Sequence, residues 1–167
     1  MGQVVGTLVG LVVAFLITFL ILMFGGSIHE DLINPAIVAD FLNQPDLELK
    51  LAVVGTVLYP PYLGMQLAFG AQGSTILMFL SWGTGGLVAG ALTRDIVQGV
   101  MAAVFSVIVG AFLVWLLIFF IGTYDFMAIF GVESMLILQF VLEGSVYPGI
   151  AAAIGGLLGA GITRERI

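Results

Sequence analysis

GGLVAGALTRD, Gly85–Asp95, returns as GGLLGAGITRE at Gly155–Glu165 without a gap. Gly85, Gly86, Leu87, Thr93 and Arg94 are matched identically by Gly155, Gly156, Leu157, Thr163 and Arg164, a shift of 70 residues, and Asp95 is answered by Glu165. Each copy closes an apolar run, Ser74–Thr93 in one case and Ser145–Ile162 in the other. Two further runs, Val4–Phe24 and Val97–Ile121, precede them. None of the four contains Asp, Glu, Lys, Arg or His. A helix needs about 20 apolar residues to cross the hydrocarbon of a bilayer. The expected fold is therefore an all-α membrane protein with four transmembrane helices.

Composition points the same way. Of 167 residues, 61% are hydrophobic and only 8% charged, with mean hydropathy +1.24. A soluble domain carries roughly a quarter charged residues. One water-soluble core could not hide this much apolar surface, whereas lipid removes the need. The chain has no cysteine, which excludes disulfides, thiolate metal sites, a cysteine nucleophile and palmitoylation. It has one histidine, His29, and four basic residues, too few for an imidazole-rich metal site or a nucleic-acid patch. No cofactor is expected. MGQVVG carries no Lys or Arg, and no small-residue cleavage site follows the first run, so that run reads as a retained span. Gly6 stands where myristoylation wants Ser or Thr.

Charge sets the orientation. Arg94, Arg164 and Arg166 follow the second and fourth runs. With both termini cytoplasmic, all three lie inside, as the positive-inside rule expects. The outer loops then hold Glu30, Asp31, Asp40, Asp46, Glu48, Asp125, Glu133 and Glu143 against Lys50. The expected location is the plasma membrane of a prokaryote.

The first and third runs also align, Val9-Gly10 over Val109-Gly110, at a shift of 100. Each half is then a two-span hairpin ending in Thr-Arg-acid, residues 1–96 and 97–167. Two spans per half make the repeat parallel, not inverted. The two shifts differ by about 30 residues, which places an outer insert in the first half at about 25–54. Two more apolar segments, Leu51–Gly70 and Phe126–Leu142, allow an alternative of six spans. That alternative puts Arg94 outside and sets Pro60-Pro61 in the middle of a helix, which they break. Both segments are read instead as bent or re-entrant on the outer side, where surrounding protein must cover their backbone.

Within the insert, Ser27 and Glu30 form a capping box, and Asn34-Pro35 is a helix start with Asn34 as cap. Ile37, Val38, Phe41 and Leu42 share one face of a short amphipathic helix that lies on the membrane or caps the bundle. Asp46–Lys50 alternates like a strand but has no partner, and reads as a charged helix start.

Gly2, Gly6 and Gly10 are spaced four apart, as are Gly86–Gly90 and Gly155–Gly159, while Gly99 and Gly110 continue the pattern with Ala103 and Ser106. Such stripes let helix backbones approach closely, within one chain or between subunits. Arg94, Arg164 and Arg166 are cytoplasmic anchors, suited to the negative end of a helix dipole and to an anionic leaflet. His29-Glu30-Asp31 lacks the further ligands a metal site needs. Glu133 and Glu143, with Tyr59 and Tyr62 of the matching segment, are the candidates for a pore or ion site if those segments dip into the membrane. Otherwise Tyr59, Tyr62, Trp82, Tyr124 and Tyr147 contribute to an interfacial aromatic belt.

The span ending GG-x-x-AG-x-L at Gly85–Leu92, the charged turn Arg94-Asp95, the glycine-spaced Gly99–Gly110 and the GGLLGAG of Gly155–Gly161 together resemble small, mainly archaeal, four-helix membrane proteins of unknown function. The long acidic insert departs from that pattern. The resemblance implies four helices and no activity. With no nucleophile–base pair and no phosphate loop, the chain is expected not to be an enzyme. It is expected to be a non-catalytic scaffold or accessory subunit of a larger membrane complex, with the lipid bilayer and other membrane subunits or a homo-oligomer as partners. The alternative is a small oligomeric transporter or channel built from a duplicated two-span unit.

Overall fold

The computed structural model describes residues 2–27, 33–59, 75–121 and 142–164. Six helices are found there: α1 (Gly2–Met23), α2 (Pro35–Asn43), α3 (Leu47–Leu58), α4 (Thr75–Thr93), α5 (Ile96–Ile121) and α6 (Val146–Thr163). A 3-10 turn at Gly25–Ser27 follows α1. No strand occurs among the described residues. Four helices are long and apolar enough to cross a membrane, spanning Gly2–Met23, Ile76–Thr93, Ile96–Leu117 and Leu142–Thr163. The chain is an integral membrane protein, and these spans fall within a few residues of those read from hydropathy.

α4 is central and packs on α1, α5 and α6, while α5 also packs on α1 and α6. α1 and α6 occupy opposite corners. Directions follow from the close approaches. Gly6 faces Ala89 and Gly10 faces Gly85, so α1 and α4 are antiparallel. Gly99 faces Ala160 and Gly156 faces Ala103, so α5 and α6 are antiparallel too. α4 and α6 run parallel, with Gly86 on Ala152 and Gly90 on Gly156. Gly2 lies by Thr93, and Gly90 by Ala160, so Gly2, Arg94 and Arg164 share one end of the bundle.

Lipid is as apolar as a leucine side chain, so these helices associate through packing and hydrogen bonds rather than by hiding apolar surface from water. The outward faces show this directly. Val5, Leu8, Val12 and Leu16 of α1, and Ile154, Leu157 and Leu158 of α6, are exposed and large. Where the spans approach most closely the buried residues are small: Ala14, Ala89, Ala102, Ala103, Ala152 and Ala160 are all fully buried.

The two Thr-Arg-acid ends differ. Arg94 adopts φ 57, the left-handed region, and its N–H donates to the Gly90 carbonyl at 3.2 Å. Asp95 then caps α5, its Oδ1 accepting from the Gln98 N–H at 2.9 Å. Arg164 is extended, at φ −60 and ψ 121. The first end reverses at once into α5. The left-handed residue that makes the reversal is strained for any side chain with a Cβ.

On the opposite end, α2 starts as the Asn34-Pro35 signal predicts. The Asn34 side chain accepts from the Ala36 N–H at 3.0 Å, with Pro35 in the first turn. Ile37, Val38 and Phe41 are buried, but Leu42 is exposed and leaves the expected apolar face. Val38 packs on Gly25, and Phe41 meets Phe19 edge-on at 5.2 Å, so α2 caps the bundle beside α1. The Ser27–Glu30 capping box and His29-Glu30-Asp31 reach outside the described residues. α3 begins after Asp46, as a helix rather than the strand its alternation mimics.

Candidate functional site

α3 is too short to span. Its 12 residues rise about 18 Å. It starts with Glu48 and Lys50 near the end of the bundle opposite Arg94 and is buried without a break from Ala52 to Tyr59. It stops at Leu58, with Tyr59 at φ −125 and ψ 71. Pro60 explains this, since the residue before a proline is pushed out of the helical region. Of Leu51–Gly70, residues 51–58 are thus helical and buried from Ala52 on, and 60–70 lie outside the described residues, as does Phe126–Leu142 up to its last residue.

Two contacts seat α3. A Cβ on Gly55 would come within 2.8 Å of the Val114 side chain, so the missing side chain is what lets α3 lie against α5. Further in, the space beside Gly110 is taken by the Tyr59 hydroxyl, with Leu11 and Trp82 around it. Tyr59 donates to the Val107 carbonyl at 2.7 Å, and its ring packs edge-on against Trp82 at 5.5 Å. Val107 and Trp82 each lie about 11 residues, or ~16 Å, from the arginine end of their helices, near mid-membrane.

A helix ending at that depth leaves carbonyls that water cannot reach. The Trp82 indole N–H donates to the Leu58 carbonyl at 3.0 Å, and the Tyr59 N–H donates to Gly55 at 3.0 Å. Trp82 is therefore not in an interfacial belt; it is fully buried and closes the end of α3. Tyr147, by contrast, is exposed at the start of α6. Tyr62 and Tyr124 lie outside the described residues.

Hydroxyls knit the spans elsewhere. Ser81 and Thr18 pair at 2.7 Å, and Thr18 is 3.0 Å from the Ala14 carbonyl. One proton per hydroxyl satisfies both contacts if Ser81 donates to Thr18 and Thr18 to Ala14. Ser106 donates to the Thr7 carbonyl at 2.7 Å, joining α5 to α1. Thr56 donates within α3 to Val53 at 2.7 Å. Sequence reasoning passed over Thr18, Thr56 and Ser81 and took Ser106 only as a small residue. The available signal was hydroxyls inside otherwise apolar runs, where each must find a partner.

The glycines singled out earlier all face neighbours in the chain. Gly2 is 3.7 Å from Thr93, measured from an added Cβ. Gly6 and Gly10 meet the Ala89 and Gly85 carbonyls at 2.9 and 2.8 Å. Gly86, Gly90, Gly155 and Gly159 sit directly on backbone across the α4–α6 contact, and Gly99 meets Ala160 at 2.9 Å. Arg94 and Arg164 are exposed at the shared end, and Glu143 is half-buried at the far end. Glu133 and Arg166 lie outside the described residues. No group of three or more His, Asp or Glu that could hold a metal occurs among the described residues, and no charged side chain is buried there. Comparison with family models, curated proteins and solved structures finds no match.

Proposed function

We propose that this chain is a non-catalytic integral membrane protein, a scaffold or accessory subunit of a larger membrane assembly. One observation carries the reading. The described interior is closed by backbone contacts at glycine, and its buried polar side chains are spent on structure: Thr18, Ser81, Ser106, Tyr59 and Trp82 join helices, and Thr56 bonds within α3. Such an interior acts through its shape and outer surface rather than through a reactive group.

The protein is built by duplicating a two-span hairpin, 1–96 and 97–167. Contact register supports this. α4 meets α6 at shifts of 66 to 72 residues, around the 70 of the sequence repeat, as in Gly86–Ala152 and Gly83–Gly155. α1 meets α5 at Gly6–Ala102 and Gly10–Ser106, shifts of 96 that approach 100. Thr93 and Thr163, equivalent in the repeat, both donate back into their own helix, to Gly90 and Gly159 at 2.8 and 2.9 Å. Helices related by an axis along the membrane normal must run parallel and meet at equal depth, which is this pattern. The arginine end faces the cytoplasm of a prokaryotic cell, where positive loops are retained.

Purification in mild detergent followed by mass measurement tests the proposal. Stoichiometric co-purification with other membrane subunits is the expected result. A closed homo-oligomer that passes ions in liposomes overturns it and favours a channel or transporter. One observation favours that second reading: α3 ends at mid-depth, the placement that broken helices use to build substrate sites. Glu133→Gln separates the two, since it alters flux in a channel and leaves a scaffold unaffected.

A further inference from the structure

An apolar groove of ≈ 460 Å³ opens on the bundle surface between α1 and α5. That volume is in the range of small-ligand pockets. Leu11, Val12, Leu16 and Phe19 form one wall, Leu113 and Leu117 the other, and Leu51 of α3 closes its outer end. It runs from mid-membrane towards the face opposite Arg94, over about 12 Å of α1.

A cation sits at its head. Lys50 directly precedes Leu51, and its ammonium lies 5.4 Å from the centre of the Phe41 ring. Phe41 packs on Phe19, itself a groove residue. The ammonium thus lies over a ring that itself touches the groove wall at Phe19. Among the described residues no ion pair involves Lys50, and the other described basic residues, Arg94 and Arg164, lie at the opposite end of the bundle. An anion is complementary to it, and an acyl chain is complementary to what lies below.

We propose that this groove and Lys50 form a binding site for one anionic phospholipid, its phosphate on the Lys50 ammonium and an acyl chain between α1 and α5. The site lies in the leaflet away from Arg94 and Arg164. It requires a bilayer around the protein but not the scaffold role, so it stands or falls separately.

Native mass spectrometry of the purified full chain tests it. The probes are phosphatidylglycerol and phosphatidylcholine of identical acyl chains. One phosphatidylglycerol is retained about fivefold more tightly than phosphatidylcholine, the effect of ~1 kcal/mol per basic residue near a headgroup. Lys50→Gln abolishes the preference and Lys50→Arg keeps it. Leu16→Trp, which fills the groove from its exposed side, weakens both lipids. Arg94→Gln leaves the preference intact. Thermal unfolding of each variant confirms that it is folded. Equal retention of the two lipids by the unaltered chain overturns the proposal. So does a preference that survives Lys50→Gln or disappears with Arg94→Gln.

Discussion

Gly83 and Gly86 stand one helical turn apart in α4, yet adding one methyl group to each should have opposite effects. At Gly83 a Cβ meets nothing within 4 Å. Alanine there keeps every contact and gains helix propensity, about 1 kcal/mol relative to glycine. At Gly86 the Cβ would fall on the backbone of Ala152, 2.9 Å from its Cα and closer still to its carbonyl oxygen. Ordinary contact begins near 3.4 Å. Backbone cannot rotate away as a side chain can, so α6 must move out by about half an ångström or more. A gap of that size forfeits a quarter to a half of the dispersion well across every contact it opens. α4–α6 is the most extensive helix pair in the fold, so the loss spreads along the whole seam. Overpacking of this kind costs about 1–3 kcal/mol. Gly86→Ala should therefore unfold more easily than the unaltered chain, and Gly83→Ala less easily. Equilibrium unfolding in mixed detergent micelles, followed by the fluorescence of Trp82 and Trp115, measures both. If Gly86→Ala proves as stable as Gly83→Ala, close backbone packing is not what joins α4 to α6.

The Thr18–Ser81 pair should couple α1 to α4 by roughly 0.6 kcal/mol, a usual value for a hydrogen bond between membrane helices; a double-mutant cycle with Thr18→Val and Ser81→Ala measures it, and zero coupling refutes the bond. Trp82→Phe keeps most of the packing but leaves the Leu58 carbonyl without its indole donor, at a cost of about 1–3 kcal/mol, and hydrogen exchange of α3 amides should rise selectively. Because the chain has no cysteine of its own, Arg94→Cys and Arg164→Cys give clean single-thiol probes. Both should react with a membrane-impermeant reagent from the same side, and labelling from opposite sides would end the parallel α4–α6 arrangement.

Residue order alone determined the membrane placement and the four spans. About 20 uncharged apolar residues in a row have few stable fates but a helix in lipid, whatever their neighbours. Local rules also carried Asn34-Pro35 as a helix start and Pro60 as a helix end, because capping and proline sterics act within a few residues. Only tertiary structure decided how the glycine stripes are used. Gly2, Gly6 and Gly10 suit a partner subunit as well as a neighbouring span, and the choice of α4 depends on long-range contact. The same holds for Trp82. Counting along its apolar run puts Trp82 near the middle, but what its indole does there is decided only when a half-helix ends beside it and needs a donor. Tyr59 shows the limit most clearly. Its place beside Gly110 joins residues far apart in sequence through the depth that α3 reaches, and one-dimensional periodicity carries no information about depth.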